Sequence, residues 1–134
     1  MVMLNAEMKE AFGKVKLFPV ATASKGGVPN VVPIVHVMLM SDDTIWIGDN
    51  FMNKSLANVK ENPHIAIYVY DPEGKKCFQV KGKVEVKTSG PDFEKMRAMV
   101  RAKKAELPAK SLLIMKITEV FQCFYGANAG NKLL

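Results

Sequence analysis

Thiol and imidazole ligands are scarce in this chain, which has two cysteines and two histidines. Cys77 and Cys123 stand far apart with no C-x-x-C spacing, and His36 and His64 lack nearby ligand partners. Neither a structural zinc site nor a C-x-x-C redox motif is therefore encoded. Two cysteines inside apolar segments read as reduced, buried thiols. No apolar run approaches the ~20 residues of a membrane helix. The opening MVMLNAEMKEAF intersperses charges in an amphipathic pattern and lacks the apolar core and cleavage site of a secretory signal. A cytoplasmic protein without membrane association is expected. Aromatic residues are few, at 8%, and are not interleaved with the lysines. A net charge of +6 and a pI near 9.3 invite nucleic acid as a partner, but the stacking platform that single strands require is missing. The densest basic patch, Arg97, Arg101, Lys103 and Lys104, falls at a predicted helix end, where each cation contributes roughly 0.3–1 kcal/mol against the dipole. Repeats, low-complexity tracts and linkers are also lacking.

What is present suits one domain over residues 1–134, since 49% of the residues are apolar and 24% charged. Leu4, Met8, Ala11 and Phe12 share a face, predicting a helix from Leu4 to Phe12 that stops at Gly13. A hairpin follows: strand Leu17–Ser24, a Gly26-Gly27 turn, and one long strand from Val28 to Met40. Pro29 and Pro33 cannot donate to a ladder. They mark an edge, a bulge, or backbone that faces a ligand. Thr44–Gly48 is a further strand. A helix is predicted from Lys54 to Glu61, with Asn53 as cap and Pro63 as stop. His64–Tyr70 and Cys77–Lys87 alternate as strands around an Asp-Pro-Glu-Gly turn. Gly82 breaks the second alternation and predicts a bulge. A third helix starts near Pro91, and Lys110–Tyr125 reads as the last strand. Six strands with three short helices point to a mainly β fold that closes into a barrel rather than to a doubly wound sheet.

One stretch carries chemistry. In Ile47-Gly48-Asp49-Asn50-Phe51-Met52-Asn53-Lys54-Ser55 a strand ends, a small polar loop follows, and Lys-Ser opens a helix. Free amides at a helix N-terminus, joined by an ammonium and a hydroxyl, make a seat for a phosphate. A solvated lysine and a locally capping serine are the alternative reading. Trp46 reads as core, and His36 as a core or interface residue rather than a catalytic base. Asn50 and Asn53 read as turn and cap residues, with Asn50 within reach of a ligand.

Several segments together resemble the pyridoxamine 5'-phosphate oxidase-like FMN-binding split-barrel family, and most of all its small bacterial FMN-binding proteins. They are the hairpin Val20-Ala21-Thr22-Ala23 with Gly27-Val28-Pro29-Asn30-Val31-Val32-Pro33-Ile34, the loop and helix from Ile47 to Pro63, the strand Phe78-Gln79-Val80-Lys81-Gly82, and Ser89-Gly90-Pro91-Asp92-Phe93-Glu94. The resemblance implies a six-stranded antiparallel split β-barrel with Greek-key character and three short helices, FMN as cofactor, and a homodimer with each flavin between subunits. It implies hydride or electron transfer with a small-molecule redox donor or acceptor, or a purely electron-carrying role. The same barrel holding deazaflavin F420 or heme is the other possibility. By the resemblance, Lys54 and Ser55 hold the phosphate; Ile47, Gly48 and Asp49 lay backbone against the flavin; and Pro33, Ile34 and Val35 edge the ring system. Asn50 lies near the ribityl chain or phosphate. Phe124 and Tyr125 are either barrel wall or part of a C-terminal cover over the partner's flavin. The chain is shorter than true pyridoxamine-phosphate oxidases and has no C-terminal Arg-x-His pair, so vitamin B6 oxidation is not part of the expectation.

Overall fold

A computed structural model describes residues 2–134. The chain runs α1 (Ala6–Lys14), β1 (Phe18–Ala23), β2 (Pro29–Ile34), β3 (Val37–Ser41), β4 (Thr44–Asp49), α2 (Lys54–Glu61), β5 (His64–Asp71), β6 (Lys76–Lys87), α3 (Pro91–Lys103) and β7 (Ser111–Gln122). The strands form one curled antiparallel sheet, a half-barrel, in the order β2-β1-β5-β6-β7-β4-β3. β4 returns beside β7, next to the consecutive run β5, β6, β7, which is the Greek-key element.

Seven strands replace the expected six because Val28–Met40 is not one strand. The chain turns at Val35, whose carbonyl accepts the Val37 N–H at 2.9 Å. That i to i+2 bond bends it sharply. β2 lies on one edge of the sheet and β3 on the other, so the barrel is split here rather than closed. The prolines explain why β2 stays an edge. Pro33 faces Pro19 and Pro29 faces Ala23, and two prolines cannot exchange ladder bonds, so the backbone of Pro29, Val31 and Pro33 points away from β1. Only Val31 of these three has an N–H to offer another strand.

Other boundaries shift for physical reasons. α1 begins later than expected because Asn5 caps it, its Oδ1 accepting the Met8 N–H at 3.0 Å, and it runs through Gly13. Leu4 lies before the helix yet stays buried with Met8, Ala11 and Phe12. β7 ends at Gln122 rather than Tyr125. There the Cys77 carbonyl takes both the Cys123 and Phe124 N–H groups, and the chain folds back so that Leu133 N–H reaches the Val120 carbonyl at 2.7 Å. The bulge expected at Gly82 lies instead on the facing strand: Lys81 pairs with Glu119 and Gly82 with Ile117, so the extra residue is Thr118 of β7, while β6 keeps its alternation through Gly82. A side chain at Gly82 would collide with the Lys116 carbonyl oxygen.

β4 is buried along its whole length because both faces are covered. Ile45 and Ile47 point into the main core with Val20, Ile67, Val80, Leu113 and Met115. Trp46 points outward beneath α3, against Phe93, Met96, Val100 and Leu112. The core role expected of Trp46 is what it has. None of the described helices is long and apolar enough to cross a membrane.

Candidate functional site

The split between β2 and β3 opens into a cleft of ≈ 540 Å³, within the usual ~300–1,000 Å³ of small-molecule sites. Its wall on one side is β2 and the bend after it, from Asn30 to His36. Its other wall is Gly48, the loop Asn50–Asn53, and the start of α2 with Lys54 and Ser55. Leu107 closes one side.

Gly48 is fixed by close approach. Its N–H donates to the His36 carbonyl at 2.9 Å, and a Cβ there would stand 2.9 Å from Val100 Cγ2 and 3.3 Å from His36 Cβ. The next residue holds the loop. Asp49 is fully buried, and its carboxylate accepts from Met52 N–H at 2.9 Å and Ser111 Oγ at 2.6 Å, with Lys110 Nζ at 3.5 Å. Asn50 Oδ1 accepts the Ala109 N–H at 3.0 Å, and Lys110 Nζ donates to the Met52 carbonyl at 2.7 Å. The 107–111 segment thus bolts the cleft loop in place. Phe51, 79% exposed, stands free at the rim.

At the mouth of α2 the first intrahelical bond is Ala57 N–H to the Asn53 carbonyl at 3.0 Å, which leaves the amides of Lys54, Ser55 and Leu56 without a helical acceptor. Asn53 occupies the cap position, but its side chain makes no capping bond. Lys54 is exposed and has no acidic partner among the described residues. Ser55 is buried, and its Oγ accepts from Asn30 Nδ2 at 3.1 Å. Asn30 also reaches Thr22 Oγ1 at 3.4 Å, and Asn58 Nδ2 donates to the same oxygen at 3.0 Å. Because Ser55 Oγ is already accepting, its own proton is available to an acceptor in the cleft. Backbone donors, an ammonium and a hydroxyl therefore converge, which is the donor set for a phosphate dianion.

His36 lines the same cleft. Burial first, and the Lys103 charge second, hold its imidazole below the ordinary 6.5, so it is neutral at pH 7.

Of the eleven residues singled out from the sequence, the structure brings seven to this cleft: Pro33, Ile34, Val35, Gly48, Asn50, Lys54 and Ser55. Ile47 and Asp49 are buried in the wall behind it. Phe124 and Tyr125 stack on each other with ring centroids 4.7 Å apart, beyond the far end of β7. They are not among the residues that line the cleft. Missed from sequence was the Thr22–Asn30–Ser55–Asn58 network. Its signal was the Gly26-Gly27 turn, whose register sets Thr22 opposite Asn30.

The family model described as pyridoxamine 5'-phosphate oxidase matches residues 4–124. An uncharacterized protein of Methanocaldococcus jannaschii is 34% identical over 131 residues, covering 96% of this chain and 87% of that one. Among solved structures, HupZ of Group A Streptococcus superposes with a TM-score of 0.81 at 28% identity, over 96% of this chain and 100% of that one. An FMN-binding protein of Syntrophomonas wolfei shares the fold at 19% identity, with a TM-score of 0.71 over 84% and 86% of the two chains. The fold also serves an F420 reductase (16%, 0.69, 87% and 98%) and HutZ, a heme storage protein of Vibrio cholerae (16%, 0.62, 90% and 94%). With a family match across nearly the whole chain and the split-sheet fold to go with it, this chain belongs to the pyridoxamine 5'-phosphate oxidase family.

Proposed function

We propose that this protein is an FMN-binding flavoprotein, a cytoplasmic homodimer that passes hydride or electrons between small-molecule partners. The observation that carries this reading is the uncapped start of α2, with Lys54 and the Ser55 hydroxyl aimed at one cleft. That set suits the phosphate of FMN. The outward-facing carbonyl of Pro33, with no N–H beside it, suits the N–H at the pyrimidine edge of a flavin. Pro33, Ile34, Val35 and Gly48 would flank the ring system, and Asn50 the ribityl chain. Bound FMN supplies the two-electron chemistry; the protein binds, orients and shields it.

In one protomer the cleft is open on the side where Phe51 stands exposed. Phe124 and Tyr125 do not line their own protomer's cleft; a covering role for them would be toward the partner's cleft, which is where the homodimer enters the reading. No acid–base pair lines the cleft, since His36 is its one imidazole and no carboxylate borders it. Proton handling would fall to the flavin and its substrate.

The test is a visible spectrum of the native protein followed by mass analysis of the released chromophore. FMN is the expected result; F420 or heme would replace this reading. Lys54→Ala combined with Ser55→Ala is expected to strip FMN while leaving the circular dichroism spectrum unchanged, and full retention of flavin would refute the phosphate seat. A variant that is monomeric by sedimentation should lose flavin as well. Turnover with a nicotinamide or deazaflavin donor would mark an enzyme, and reduction only by strong artificial donors a carrier.

A further inference from the structure

The two cysteines lie outside the cleft, at the other end of β7, and neither is used by the reading above. β6 and β7 pair with Phe78 opposite Gln122, so the next position sets Cys77 opposite Cys123. The Cys77 carbonyl accepts the Cys123 N–H at 2.8 Å and the Phe124 N–H at 3.0 Å, which closes the register at this pair. Residues directly opposite in an antiparallel pair project to the same face, with Cα atoms about 4.5–5.5 Å apart. That spacing lies inside the ~4.4–6.8 Å range of disulfides. Both cysteines are free thiols in the structure, Cys77 buried and Cys123 half-buried.

We propose that Cys77 and Cys123 are a redox-sensitive dithiol, oxidised by a low-molecular-weight disulfide to a reversible cross-strand bond that ties the C-terminal segment to β6. The inference does not rest on the cofactor assigned above. The more accessible Cys123 thiolate attacks one sulfur of the small disulfide; that S–S bond breaks, and the first small thiol departs and takes up a proton. The Cys77 thiol then loses its proton to water and attacks Cys123 Sγ, and the second small thiol leaves. Two protein thiols are oxidised by two electrons, and one small disulfide is reduced to two thiols.

The surroundings set the pace of this exchange. Burial, with the Cys77 thiol beside it, holds the Cys123 thiol above its ordinary value, partly offset by Gln79 and Lys81. The neighbouring Cys77 thiol, with burial, pushes the Tyr68 hydroxyl up to about 12, so it stays protonated beside the pair. A thiol with little thiolate at neutral pH exchanges slowly, so the pair resists casual oxidation and yields to sustained exposure. The clamped segment carries Phe124 and Tyr125, which the Cys77 carbonyl holds to β6, while Gly130 and Asn131 hold the segment that follows to Gln122 of β7.

The experiment incubates the full-length protein with oxidised glutathione, quenches with acid, denatures without reductant and alkylates free thiols with a maleimide. The two thiols should disappear together, with intact mass lower by two hydrogens and a peptide linking positions 77 and 123. The band should remain monomeric on a non-reducing gel, and dithiothreitol should restore both thiols. Cys77→Ser should instead hold a glutathione adduct at Cys123, and Cys123→Ser should leave Cys77 unmodified. A stable glutathione adduct on the wild-type protein, cross-links between chains, or two thiols still free after prolonged exposure would each overturn the proposal.

Discussion

Removing the Ser55 hydroxyl separates a phosphate contact from a local structural bond. Ser55 is 2% exposed and its Oγ accepts from Asn30 Nδ2 at 3.1 Å. In Ser55→Ala the fold loses that neutral bond, worth about 0.5–1.5 kcal/mol. The low end of the range applies, because Asn30 keeps its 3.4 Å contact with Thr22 Oγ1. The ligand loses more, since a hydroxyl donating to an anion contributes about 1.5–3 kcal/mol. That loss raises Kd about 10- to 150-fold. Titration of the flavin-free protein with FMN, followed by quenching of flavin fluorescence, gives this ratio directly. Urea unfolding of the same samples gives the stability change. Riboflavin, which lacks the phosphate, supplies the decisive control: its affinity should fall by less than threefold, the residue of small shifts in the wall (RT ln 3 is about 0.65 kcal/mol). If riboflavin and FMN lose affinity by the same factor, or FMN binding is unchanged, Ser55 does not touch a phosphate.

Three further outcomes follow from the geometry. Asp49→Ala deprives the half-buried Met52 N–H and the buried Ser111 hydroxyl of their acceptor, so a stability loss of roughly 2–4 kcal/mol is expected by chemical denaturation, with weaker flavin binding as the loop is released. Gly82→Ala drives a methyl group into the Lys116 carbonyl and should cost on the order of 3 kcal/mol or more, read as a fall in the denaturation midpoint. His36 has its pKa lowered from 6.5 in the folded state, by burial first and then by Lys103. The unfolded chain therefore takes up this proton at higher pH than the folded one. The neutral-histidine contribution is full above pH 6.5 and declines as pH falls from there toward the folded pKa. His36→Gln should remove that part of the pH dependence, and an NMR titration of the imidazole that gave a value above 6.5 would contradict the assignment.

Much of this protein was legible in its amino-acid order, for reasons that are local. The Lys54–Glu61 helix has the expected bounds because a loop, a cap position and Pro63 bracket it within one short window. The alternation of β6 was readable because strand pleating repeats every two residues, whereas the bulge expected at Gly82 belongs to the strand it faces, at Thr118. Seven of the eleven proposed site residues meet in one cleft, since most lie in two short segments whose local order already brings them near it.

What tertiary structure decided was where a continuous β-type segment changes partner. Val28–Met40 has the same strand-forming composition throughout, yet residues 29–34 pair with β1 and residues 37–41 with β4. Nothing local marks Val35 as the turning point, because pairing partners are set by distant segments and by the curl of the whole sheet. The same holds for β7, whose end at Gln122 is fixed by the Cys77 carbonyl from another strand. It holds too for Asp49, which composition would place at the surface, while the 107–111 segment supplies the partners that let a carboxylate be buried. Local sequence chose the elements; contacts across 25 to 62 positions, as between Asn30 and Ser55 or Asp49 and Ser111, chose which of them would face one another across the split.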